Sequence, residues 1–175
     1  MKLKYRIGNA IDHHYLLKNN DVKLDSKPLI LGATLINLPY YVDAHSDGDL
    51  ILHVIANSIL NAIGKDDIGT YFKDTDTKIK GINSKLILDY ALKEMHDMRY
   101  IINNLSIVFE SDVVMLMPLK KQIMANLCHL VHTSDISMHA TRAEHHLFNN
   151  DPTTSLVSCY VTILLIYSGE ENNEE

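Results

Sequence analysis

The chain has 175 residues, with 16 Lys+Arg against 22 Asp+Glu and a formal charge of −6. At 46% hydrophobic and 22% charged it has the composition of one ordinary globular domain, which excludes a disordered chain, collagen and a coiled coil. Its acidity argues against non-specific nucleic-acid binding, which depends on neutralising phosphates.

The first residues turn polar by Asp12-His13-His14, so no secretion signal is expected. Residues 3–11 carry Leu3, Tyr5, Ile7 and Ile11 at odd positions, the period-2 pattern of a half-buried strand whose apolar face meets the core. After a polar stretch at 17–27, two short apolar runs flank Gly32-Ala33 and predict a hairpin. Ser46 or Asp47 is placed to cap a helix that carries Leu50, Val54, Ile55, Ile59 and Leu60 and ends near Gly64. A second helix starts at Ser84 with Leu86, Ile87, Tyr90, Ala91, Leu92 and Met95 on its apolar side. Residues 105–109 read as a strand, and Pro118 suits the first turn of a third helix through Ile123, Leu127 and Val131. Strands at 136–140 and 155–167 complete the set. The last of these is interrupted by Ser158 and Thr162 and is too short to cross a membrane, which takes ~20 residues. Cys128 and Cys159 make no disulfide framework and fit a reducing compartment. The expected fold is α+β: a single-domain two-layer sandwich over residues 1–169, a mixed sheet of about four strands covered on one face by helices. Residues 170–175 form an acidic tail.

Ten histidines are the abnormal count. Asp12 and His14 stand two apart, so an extended segment projects both to one side. Ala44-His45-Ser46-Asp47-Gly48-Asp49 enters the first long helix, and His53 lies one turn beyond Asp49. Two histidines and one carboxylate leave a coordination position open, as catalytic zinc requires. Spacing alone leaves a second reading, chance pairs in a histidine-rich chain. Asp66-Asp67-Ile68-Gly69 with Asp74-Thr75-Asp76 is either a turn-forming solvated loop, the reading favoured by residue type, or a set of carboxylates and amides for a polyhydroxyl ligand. His139 and His145-His146 make no joint metal site, and His96, His129 and His132 read as surface or packing residues.

Together these stretches resemble the 2-C-methyl-D-erythritol 2,4-cyclodiphosphate synthase family. Arg6-Ile7-Gly8-Asn9-Ala10-Ile11-Asp12-His13-His14 is similar to that family's opening Arg-Ile-Gly-His-Gly-(aromatic)-Asp-x-His. Residues 44–49 with His53 match its central signature without a gap. Asp66-Asp67-Ile68-Gly69, then Tyr71-Phe72-Lys73-Asp74-Thr75-Asp76 and Lys80-Gly81-Ile82-Asn83-Ser84, continue in register. The resemblance weakens after about residue 105.

The resemblance implies a lyase of the non-mevalonate isoprenoid pathway that cyclises a CDP-linked methylerythritol 2-phosphate and releases CMP. By the same resemblance Asp12, His14 and His53 hold zinc, and Glu144 holds magnesium or manganese between the nucleotide phosphates. His45 stabilises the transition state at the phosphates beside Ser46. Asp67, Ile68 and Gly69 meet the methylerythritol hydroxyls, with Phe72 and Asp76 alongside. Ser111, Met115, Met117, Thr141 and Phe148 belong to the nucleotide half, and Arg142 takes a phosphate-orienting threonine's place among the catalytic residues. The family also implies a homotrimer with active sites between subunits, in a bacterial cytoplasm or an organelle stroma after processing, with no nucleic-acid or membrane partner.

The nucleotide half departs from the family pattern. Residues 111–117 lack its proline and lysine, residues 149–153 replace its glycine-rich turn, and Asn9 and Asn57 replace a histidine and an aspartate. The alternative implied is a zinc-retaining binding or regulatory paralogue that has lost cytidine recognition. Asp151 stands where many members have an arginine for isoprenoid diphosphates, so geranyl and farnesyl diphosphate are not expected to bind.

Overall fold

The computed structural model describes residues 3–18, 26–42, 44, 46–73, 75–76, 80–142 and 154–169. Its elements are β1 (Tyr5–Lys18), β2 (Lys27–Pro28), β3 (Ile30–Leu31), β4 (Thr34–Leu35), β5 (Tyr40–Val42), α1 (Leu50–Ala62), α2 (Ile68–Tyr71), α3 (Ser84–Asp97), β6 (Tyr100–Ser111), α4 (Lys120–Val131), β7 (Ile136–Thr141) and β8 (Thr154–Tyr167). The main sheet runs β2-β5-β1-β8-β6-β7, so the four longer strands expected from sequence are extended at one edge by the short β2 and β5. Among the described strands only β6 and β7 pair in parallel; β1 and β8 pair antiparallel along almost their whole length. The β3–β4 hairpin turns at Gly32-Ala33, both with positive φ. No helix among the described residues is long and apolar enough to cross a membrane.

One face of the sheet packs against α1, α3 and α4 and forms the core. Leu16, Val157, Cys159, Val161, Ile163, Leu165, Ile107 and Phe109 point into it from the strands. They meet Ile51, Ile55, Ile59, Ile87, Ala91, Ile123 and Leu127 from the helices. The α1 helix is apolar on nearly every side, because the sheet, α3 and the β3–β4 hairpin all pack around it.

Four local expectations change. Strand β1 continues seven residues beyond Ile11, through the Asp12-His13-His14 stretch. The apolar odd face of β1 is also not the core face: Tyr5, Ile7 and Ile11 are 54%, 69% and 51% exposed, whereas Gly8 and Leu16 are buried. Alternation identifies two faces but not which one receives the helices. Here α1 sits on the even face because Gly8 lets it approach: a Cβ on Gly8 would stand 2.7 Å from the Ala62 nitrogen. The first long helix is capped not by Ser46 or Asp47 but by Asp49, whose side chain accepts the Leu52 amide. Pro118 lies two residues ahead of α4 rather than in its first turn.

Candidate functional site

Asp12 and His14 lie on the helix-facing side of β1, two residues apart as the pleat requires. His53 comes from the first turn of α1, whose direction is set by the Asp49 cap. Asp49 does more than cap: its two carboxylate oxygens accept the Gly32 amide at 2.8 Å and the Ala33 amide at 2.6 Å. The hairpin turn is thereby anchored to the start of α1, and burial raises the Asp49 carboxyl above its usual range.

This arrangement brings ligand atoms of Asp12, His14 and His53 within 4.8 Å of one another. The Asp12 Oδ2 to His14 Nε2 distance is 4.0 Å, and the two imidazole rings stand edge to face with centroids 6.2 Å apart. A tetrahedral ion with bonds of ~2.1 Å separates its ligand atoms by about 3.4 Å. The triad therefore needs only a small inward adjustment of side chains to hold a divalent metal. Burial of His14 pushes its imidazole below the ordinary value, against the opposing pull of the Asp12 carboxylate. A ring kept neutral is a ring able to ligate. Carboxylate plus two imidazoles is a donor set that fits zinc and leaves a coordination position for another ligand.

The triad forms one end of a cleft of about 420 Å³. Ser46, Asp67, Ile68, Gly69, Phe72 and Asp76 all line it, so the acid-rich loop serves as wall as well as turn. Asp67 caps the short α2 by accepting the Thr70 amide at 3.1 Å, and Asn57 on α1 accepts the Ile68 amide at 2.9 Å. Phe72 is held edge-on against Tyr90 of α3, with centroids 5.5 Å apart. Ala44 and Ser46 are tied down by Lys27, whose ammonium donates to the Ala44 carbonyl at 3.0 Å and to that of Ser46. Gly48, at φ +80°, makes the tight turn into α1.

The remaining sequence candidates divide. Ser111, Met115, Met117, Thr141 and Arg142 do not line the cleft. Ser111 pairs with Val157, the residue opposite His14, so it lies two strands from the triad, about 10 Å by strand spacing. It is buried and closes a turn by accepting the Val113 and Val114 amides, whereas Met115 and Met117 are 78% and 67% exposed. Thr141 ends β7 and Arg142 follows it, both exposed. His45, Glu144, Phe148, the neighbouring His145-His146, Asp74, Asp151 and the acidic tail lie outside the described residues. His96, His129, His132 and His139 are exposed.

Asn57, Lys80 and Ile82 also line the cleft, although sequence reasoning gave them no role. Lys80 and Ile82 stand inside the quoted Lys-Gly-Ile-Asn-Ser stretch, where the register of the resemblance was the available signal.

A family model described as the YgbB family matches residues 5–166. A Leptospira borgpetersenii protein named 2-C-methyl-D-erythritol 2,4-cyclodiphosphate synthase is 38% identical over 142 residues, 80% of this chain and 85% of its own. A protein of the same name from Aquifex aeolicus is 34% identical over 166 residues, covering 94% and 99%. Among solved structures, a Plasmodium falciparum IspF in complex with CDP superposes with a TM-score of 0.78 at 29% identity, covering 97% of this chain and 100% of that one.

Proposed function

The chain belongs to the YgbB family, and from that membership we propose that it is a 2-C-methyl-D-erythritol 2,4-cyclodiphosphate synthase. It converts 4-diphosphocytidyl-2-C-methyl-D-erythritol 2-phosphate to 2-C-methyl-D-erythritol 2,4-cyclodiphosphate and releases CMP. The observation that carries this reading is the convergence of Asp12, His14 and His53 at one end of a cleft built from the family's matched segments.

In the reaction an oxygen of the 2-phosphate attacks the β-phosphorus of the diphosphate. The bond from that phosphorus to the bridging oxygen breaks, and CMP leaves with the electron pair. Both partners are anionic, so the protein must hold them in line and offset their charge. Asp12, His14 and His53 hold a divalent ion, assigned as zinc, which supplies Lewis acidity and orientation to the phosphates. Asp67 and Asp76 offer carboxylates to the methylerythritol hydroxyls, and the Ile68-Gly69 backbone lies beside them. Phe72 supplies an apolar wall that excludes water from the carbon skeleton. Ser46, with His45, is assigned to the phosphates. Lys80 adds positive charge to a net-acidic chain where the substrate needs it.

Glu144 is assigned to a second divalent ion, magnesium or manganese. Ser111, Met115, Met117, Thr141, Phe148 and Arg142 are assigned to the nucleotide half, with Arg142 able to take a phosphate through paired N–H donors. Two observations support a homotrimer with active sites between copies. Ser111, Met115, Met117, Thr141 and Arg142 do not line the cleft, and the open face of the sheet presents Tyr5, Ile7, Ile11, Ile101, Val108 and Tyr160 to solvent in the single chain. An apolar sheet face of that extent calls for a covering surface. The compartment assigned is a bacterial cytoplasm or an organelle stroma, and the domain assigned spans residues 1–169 ahead of the tail. The alternative, a paralogue that has lost cytidine recognition, is not favoured.

The test is direct. Purified protein supplied with zinc, magnesium and the CDP-linked substrate releases CMP, and the His53→Ala variant does not. Absence of CMP above the variant's level overturns the assignment.

A further inference from the structure

Beside His53 lie two polar side chains, those of Asp47 and Ser84, that no step of the reaction uses. Ser84, the first residue of α3, is fully buried. Its amide donates to Asp47 Oδ2 at 3.0 Å, and its hydroxyl donates to Asp47 Oδ1. Asp47 Oδ1 also accepts the Asp49 amide at 3.3 Å, so both carboxylate oxygens act as acceptors. The Asp47 amide in turn donates to the Ile82 carbonyl at 3.0 Å, which ties this loop to the chain entering α3. On the other side, Ser84 Oγ stands 2.8 Å from His53 Nε2. Ser46 Oγ stands 3.1 Å from the same nitrogen and accepts the Gly48 amide at 3.0 Å.

The closer of the two serine contacts, that of Ser84, decides the roles. A serine hydroxyl has one proton to give. Ser84 gives it to Asp47, so its contact with His53 leaves the serine oxygen as acceptor and the ring as donor. A neutral imidazole that donates from Nε2 carries its lone pair on Nδ1. We infer that Asp47 and Ser84 are positioning residues that fix His53 as the Nε2–H tautomer and so present its Nδ1 as the metal-binding nitrogen. The relay runs from carboxylate to hydroxyl to imidazole, and joins the start of α3 to α1 across 31 residues of chain. Partners of this kind orient a ligating ring and make it more basic.

The consequence for metal binding rests on the reading of the triad given above; the tautomer does not. Nitrogen-15 spectra of the labelled, metal-free protein report which His53 nitrogen carries the proton. Wild type and Ser84→Thr, which keeps a hydroxyl, show Nε2–H. Ser84→Ala and Asp47→Ala lose that preference, and zinc affinity measured against a competing chelator falls about 10–100-fold in both. If either alanine variant is too unstable to record, the other decides. His53 remaining Nε2–H without the serine hydroxyl, or zinc affinity unchanged when the tautomer is lost, overturns the inference. Wild type that takes up no zinc, yet loses its tautomer in Ser84→Ala, overturns the metal reading and leaves the relay standing.

Discussion

Gly8 of β1 faces Ser58 and Ala62 of α1 so closely that no side chain fits between strand and helix. A Cβ built on Gly8 would meet the Ser58 carbonyl, and would stand 2.7 Å from the Ala62 nitrogen and 2.8 Å from its Cβ. The neighbours are mostly backbone, which cannot rotate away. Because β1 carries Asp12 and His14 while α1 carries His53, this contact also sets the spacing of the triad. Gly8→Ala is expected to lower stability by about 1–3 kcal/mol or more through overpacking. Metal affinity falls with it, because α1 is lifted from β1. Chemical denaturation and zinc titration check both, and an unchanged denaturation midpoint would refute the packing account.

Asp49 joins three amides from two elements, those of Gly32, Ala33 and Leu52. Asp49→Ala removes a helix cap, worth ~1 kcal/mol, and leaves the buried Gly32 amide without its acceptor, at ~1–3 kcal/mol. The expected loss is about 2–4 kcal/mol. Faster hydrogen exchange at the Gly32, Ala33 and Leu52 amides locates it, whereas exchange changes confined to α3 would contradict the assignment.

The depressed ionisation of His14 gives the metal-free protein a defined acid response. Its folded-state pKa lies below the ordinary 6.5 because burial disfavours the imidazolium. Between those two values the unfolded chain binds more protons than the folded one. Stability is therefore fully present above about pH 6.5 and declines as pH falls through that window. The acid-side decline of the denaturation midpoint is expected to be shallower in His14→Gln, which cannot take up the proton. A steeper decline in the variant would reverse the sign.

On the open face of the sheet, Ile7 is 69% exposed in the single chain and Ile11, Tyr160 and Val108 share one cross-strand row. If copies of the chain cover this face, Ile7→Glu places a charge in an apolar interface. The variant is expected to sediment as a monomer with an unchanged far-ultraviolet circular dichroism spectrum, while wild type sediments as a trimer. A variant that stays trimeric would remove this face from the interface.

Much of the site was readable before folding because its information is local. The two-residue step between Asp12 and His14 puts both on one side of any strand, and a helix entered at residues 46–49 had to carry His53 in its first turn. Residues 66–76 announced their turn chemistry by composition. Such patterns encode directions within an element, since they follow from the 2.0 and 3.6 residue periods of the backbone.

The docking of one element on another was not in those patterns. The odd positions of β1 hold the larger apolar residues, yet the even face with Gly8 receives α1, because a close backbone approach requires an absent side chain. Ser84 reaches His53, and Asn57 reaches the Ile68 amide, only because α1, α2 and α3 pack together. Their separations along the chain follow no period that would reveal it. Residue type and local periodicity establish which residues can ligate and which way each points within its own strand or helix. Their convergence comes from the packed fold, since it depends on side-chain volumes summed over a whole core and not on spacing along one segment.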